Sequence, residues 1–192
     1  MKKLLSITVL LFTLYSCKKN KDEFIPTTIQ SADANVGNQK VMGNHSKNWF
    51  SAQTMTAMSL PDISKDASLH ESILFGFYNE GDKYGIYSPD NFPKVYGQEN
   101  WTTRRSVIFR RSAYNFEQLS ELFNKYDGNF PVQLILDAWK NGIDEKKQIT
   151  YPQEGEIWMC RTSDGRYTAL IAVNGLNNQL FDMLQLMVWV AK

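Results

Sequence analysis

Apolar positions come in short β-rich runs up to residue 111, then at helical spacing, then in β-rich runs again to the C-terminus. Phe50 to Ser59 reads as one strand, broken by Leu60-Pro61-Asp62, with one or two helical turns over Asp62 to Leu69. Ser72 to Tyr78 and Lys83 to Tyr87 flank Glu80-Gly81-Asp82, which predicts a hairpin stopped by Ser88-Pro89-Asp90. Arg104 to Arg111 is a further strand. Alternation places Arg104, Ser106, Ile108 and Arg110 on one face and Arg105, Val107, Phe109 and Arg111 on the other.

Two helices follow, and their ends are marked by side chains that can satisfy free backbone groups. Asn115 with Gln118 three residues on forms a capping-box pattern, and Tyr114 can pack on Leu119 across the helix start. The predicted stripe is Phe116, Leu119, Leu122, Phe123 and Tyr126, ended by Gly128. The second helix has Pro131 in its first turn, a stripe of Val132, Ile135, Leu136 and Trp139, and Gly142 beyond its end. Asn124, Asp127 and Asn129 are explained by the turn between these helices, since the calcium-loop spacing with a closing glutamate is missing.

The C-terminal region predicts an antiparallel meander. Glu156 to Thr162 and Arg166 to Val173 flank Ser163-Asp164-Gly165, a hairpin turn. A loop at Asn174 to Asn178 leads to a final strand, Leu180 to Ala191, which is apolar on both faces and therefore central in its sheet. Strands before and after a helix pair give an α+β fold, mostly antiparallel β-sheet with the helix pair packed on one face.

The N-terminal part differs in kind. Lys2-Lys3 precedes an apolar stretch from Leu4 to Tyr15, the arrangement of an export signal and too short to span a bilayer. It ends Leu14-Tyr15-Ser16-Cys17, which resembles the lipobox of bacterial lipoproteins, where a small residue precedes the cysteine that is cut and acylated. That resemblance implies lipidation of Cys17 and membrane attachment through its acyl chains. Lysine follows the cysteine, where an aspartate would resemble an inner-membrane retention signal. Lys21-Asp22-Glu23 is similar to the lysine-acidic-acidic export signal of surface lipoproteins in Bacteroidota. From Cys17 to about Lys47 the chain is polar, with room only for a short strand near Lys40-Val41-Met42. Residues 1–16 are thus expected as a signal, 17–47 as a flexible tether and 48–192 as one domain.

Composition narrows the chemistry. Removing Lys2 and Lys3 with the signal turns 21 basic against 20 acidic residues into a net charge near −1, with no electrostatic footprint for nucleic acid. Cys160 is the one cysteine left, so the domain has no internal disulfide, and its apolar strand context predicts a buried thiol. His45 and His70 lack metal-ligand spacing to each other or to Cys160. There is no Gly-x-Ser-x-Gly elbow, phosphate-cradling loop or Cys-x-x-Cys. The expectation is a protein without catalytic residues, metal or cofactor.

Two surfaces are candidates for binding. Arginines at the ends of the 104–111 strand, Arg104 and Arg110 among them, could grip a carboxylate or phosphate, or could simply pair with local carboxylates. The aromatic residues Trp49, Tyr87 and Trp101 lie near loops, where they would suit sugar rings or a protein partner if exposed. Trp139, Trp158 and Trp189 lie in apolar stripes and are assigned to packing.

The set of Cys17 with its charged tether, Trp49-Phe50-Ser51, Tyr87-Ser88-Pro89-Asp90 and Arg161 to Tyr167 resembles a group of uncharacterised outer-membrane lipoproteins of Bacteroidota. The resemblance implies a cell-envelope location and carries no assigned activity. The expected function is a surface-exposed, non-enzymatic binding module for a glycan or an envelope protein. The alternative is an inhibitor or immunity protein that neutralises another enzyme, with the 104–111 strand as a contact edge.

Overall fold

The computed structural model describes residues 24–37, 46–80, 83–177 and 183–192. Within them the strands are β1 (Ile29–Gly37), β2 (Lys47–Ser51), β3 (Thr56–Ser59), β4 (Ile73–Glu80), β5 (Lys83–Tyr87), β6 (Val107–Arg111), β7 (Ile143–Lys146), β8 (Gln148–Thr150), β9 (Ile157–Thr162), β10 (Thr168–Asn177) and β11 (Met183–Ala191). The helices are α1 (Leu60–Ser64), α2 (Phe116–Lys125) and α3 (Val132–Asn141), and Ala67–Ser72 is a 3-10 turn. Every strand pairing is antiparallel, so the α+β class with a mostly antiparallel sheet holds.

Two sheets form, in the orders β1-β11-β10-β9-β6-β7 and β3-β2-β4-β5-β8. Their facing sides make the largest core, in which Phe50, Phe75, Phe77, Ile86 and Ile149 of the second sheet meet Phe109, Trp158, Ile171, Leu186 and Val188 of the first. The crossing between sheets is abrupt. β7 pairs with β6 in the first sheet and β8 with β5 in the second, and only Lys147 separates them. That corner is fixed by Ser88, whose N–H donates to Lys147 O at 3.0 Å and whose hydroxyl accepts the Val107 N–H at 2.8 Å.

Each sheet also buries its outer side. The helix pair covers the first sheet, with Leu119, Leu134, Ile135 and Ala138 on Ile157, Met159, Leu170 and Trp189. This double burial explains the unbroken apolar run of Ala169 to Val173, which alternates between the two cores. The second sheet is covered by α1 and the segment after β5, which enclose Trp49, Tyr78, Tyr87, Phe92 and Trp101. Gly76 makes this layer fit. It lies between Trp49 and Tyr87 in register, and a Cβ there would come within 2.6 Å of both Trp49 and Phe92.

The caps act as the sequence predicts. Asn115 and Gln118 form the reciprocal capping box of α2, and Gly128 follows in the left-handed conformation, φ +71°. Both hairpins are present, the second turning through Gly165 at φ +73°. The final strand has neighbours on both sides, as its two apolar faces require.

Other expectations are corrected. Residues 29–37, expected inside the tether, form β1, whose backbone pairs along β11 while Ala34 and Val36 enter the core. The predicted strand near residues 40–42 lies outside the described residues. Phe50 to Ser59 is a hairpin, not one strand. The Ser51 hydroxyl accepts the N–H groups of Gln53 and Thr54, and Met55 takes φ +54° to turn the chain. Asn174 to Asn177 continue β10 past a bulge instead of looping out. The strand after Arg104 begins only at Val107, and the short strands β7 and β8 carried too little apolar signal to be predicted.

Candidate binding groove beside helix α2

The predicted site residues separate into two groups. Trp49 is fully buried and Tyr87 and Trp101 nearly so, and all three share the outer core of the second sheet. Trp49 stands 4.7 Å from Trp101 and 4.2 Å from Phe92, and His70 stacks on Trp101 at 5.0 Å. Burial holds the His70 imidazole below its usual pKa and therefore neutral, with Nδ1 3.1 Å from the Thr102 hydroxyl. These aromatics pack the core and offer no exposed platform, which corrects the expectation that they meet a ligand.

The arginines are dispersed and mostly engaged. Arg104 is exposed on the loop before β6. Arg110 stacks on Trp139 at 4.3 Å and pairs with Glu145 at 2.7 Å, while Arg105 pairs with Asp164 and Arg111 with Glu156. The strand itself is covered on its outer flank by β7, so it is not an edge. The pairing with local carboxylates therefore holds at these three arginines. Cys17 lies outside the described residues.

A different surface is left open on the first sheet. Leu119 is buried, but Phe116 and Phe123 remain 52% and 39% exposed. Between them and the sheet runs a groove whose floor is Ala172 of β10 and Met187 and Trp189 of β11. Beyond Phe123 it continues into a recess of about 410 Å³ with Asp33 of β1 on one wall and Asp127 and Asn129 on the other.

The groove is held rigidly. The Trp189 indole N–H donates to Gly128 O at 3.3 Å, and its ring lies 4.9 Å from Phe130 and 6.3 Å from Phe123. Gly128 is required twice. Its φ is left-handed, and a Cβ would stand 3.1 Å from the Phe123 ring. The Asn129 side chain donates to Asp127 O at 2.9 Å, which fixes the polar wall. An apolar floor with two exposed aromatic rings and a rim of carboxylates and amide suits a ligand with one apolar and one hydroxyl-rich face. Among the described residues, no group of His, Cys, Asp or Glu side chains is arranged to hold a metal ion.

The fold has a solved counterpart. A DUF4466 family protein from Parabacteroides merdae is similar over 85% of this chain, with a TM-score of 0.54 and 18% identity. This chain spans about half, 54%, of that protein's length. The likeness shows the fold. No protein-family model matches the chain, and no curated relative matches it.

The groove was missed from sequence because Phe116 and Phe123 sit at core spacing. The available signal was the width of the stripe on a helix of only ten residues. Asp33 could not be assigned to the site, since its position depends on β1 joining β11 opposite Met187.

Proposed function

We propose that this protein is a lipid-anchored outer-membrane protein of the cell surface that binds a glycan in the groove beside α2, without turnover. The groove carries the proposal. Exposed Phe116 and Phe123 line its apolar part, and Phe123 also borders the recess rimmed by Asp33, Asp127 and Asn129, so a sugar ring could stack its apolar face on Phe123 while its hydroxyls donate to the carboxylates. The lipobox resemblance of Leu14 to Cys17 supports the anchor, and Lys21-Asp22-Glu23 supports the outward face.

Saccharides that bind the mature protein on an array would be titrated by calorimetry. Phe123→Ala and Asp127→Asn should each weaken binding about tenfold or more, about 1.4 kcal/mol, while the folded state persists. Unchanged affinity in both variants removes the groove as the site, and an array without binding overturns the glycan assignment. Protease digestion of the tagged protein on intact cells tests the outward face, which protection until lysis would refute.

A further inference from the structure

The chain enters the fold beside a second recess of about 500 Å³, lined in part by Gln133, Leu136 and Asp137 of α3. There the N–H groups of Thr27 and Thr28 donate to Lys192 O, prolonging the pairing of β1 with β11. Immediately upstream, Pro26 is buried, whereas Phe24 is 41% and Ile25 74% exposed. The same recess is lined by Arg110, Lys140 and Arg161, with Asp137 as its carboxylate and Glu145 paired to Arg110. Lys18, Lys19 and Lys21 precede it in the chain, with Asp22 and Glu23.

The covalent distance limits how far this face can stand from an anchor at Cys17. From Cys17 to Phe24 the chain reaches at most about 25 Å, whatever its conformation. The tether is thus shorter than its polar composition implies, because β1 takes up residues 29–37. An anchor at Cys17 holds Phe24 and Ile25 within that reach of the headgroups.

We propose that this face lies on the membrane, with Ile25 and Phe24 in the boundary between headgroups and acyl chains, and Lys140, Arg110 and Arg161 against anionic headgroups. The proposal rests on the lipid anchor at Cys17. It also orients the domain. Ile29, Ala191, Thr168, Arg161 and Ile108 form one register row across the first sheet, at the membrane end. The row through Asp33, Met187 and Ala172, which floors the groove, lies four residues further along the strands, about 13 Å from it.

The test uses the mature protein acylated at Cys17, in vesicles of equal parts phosphatidylcholine and phosphatidylglycerol. Cys160 is buried, so a single added thiol takes the fluorophore. Ile25→Cys reports the face, and Asn35→Cys, exposed further along β1, is the control. Brominated acyl chains should quench the label at position 25 several-fold more than that at 35. A label at Lys140→Cys should lose its quenching when Ile25→Asp is added. Protein retained on vesicles with equal quenching at both sites overturns the docking and leaves the anchor standing, and the face then meets water or another protein. Protein that is not retained overturns the anchor and the docking together.

Discussion

Trp49→Ala should destabilise the protein strongly while leaving the α2 groove intact. The indole has no exposed surface and touches Phe92 and Trp101, and Gly76 leaves its Cβ position empty to admit it. Truncation of such a residue costs about 3–5 kcal/mol, from lost transfer energy and the cavity left behind. At about 2–4 °C per kcal/mol for a domain of this size, Tm falls by roughly 6–20 °C. Gly76→Ala alone overpacks the same layer and costs about 1–3 kcal/mol, because its new methyl would stand 2.6 Å from Trp49 and Phe92. In the Trp49→Ala background that methyl enters space the indole has vacated, so the two losses should fall short of additive by about 1 kcal/mol or more. Urea unfolding of the two single variants and the double variant measures this directly, with a common slope as the check on two-state behaviour. The groove lies across the sandwich on the outer side of the other sheet, so ligand affinity of the folded variants should not change. A Tm within about 3 °C of the parent for Trp49→Ala, or strict additivity, would refute this account of the layer.

The Asp164 carboxyl gives a pH dependence of defined sign. Burial pushes it up, but hydrogen bonds from Thr162, Arg105 and the Arg166 amide outweigh that and hold it at about 2. Its folded pKa lies below the unfolded value of 3.8, so its contribution is present above that value and is lost as pH falls toward 2. Asp164→Asn should flatten the acid limb of a Tm-versus-pH curve; an unchanged limb would count against it, although the half-exposed carboxylate keeps the effect modest. Cys160 is fully buried in the sandwich and burial pushes its thiol up to about 12, so a thiol reagent at neutral pH should label it only after denaturation. Prompt labelling of the native protein would mean that the core opens.

Local chemistry determined much of the chain. The Asn115–Gln118 capping box starts α2 and Gly128 ends it. Gly165 turns the last hairpin, and the alternation in Val107–Arg111 sends Val107 and Phe109 into the sandwich core. These features depend on neighbours within a few residues, and the sequence displays those neighbours. The double-faced apolar run of Leu184 to Val190 likewise announced a strand with partners on both sides.

Only the tertiary structure decided which apolar faces are covered. Trp49 and Trp101 stand near loops in sequence, yet the segment after β5 folds over them and encloses them. Phe116 and Phe123 sit at perfect core spacing, yet both rings stay partly exposed beside the sheet. β1 shows the same dependence from the backbone side. Its own side chains carry little apolar signal, and its hydrogen bonds come from β11, about 150 residues away in the chain. Burial and strand pairing are properties of partners distant in sequence, so a local pattern can name a strand or a helix without showing what will lie against it.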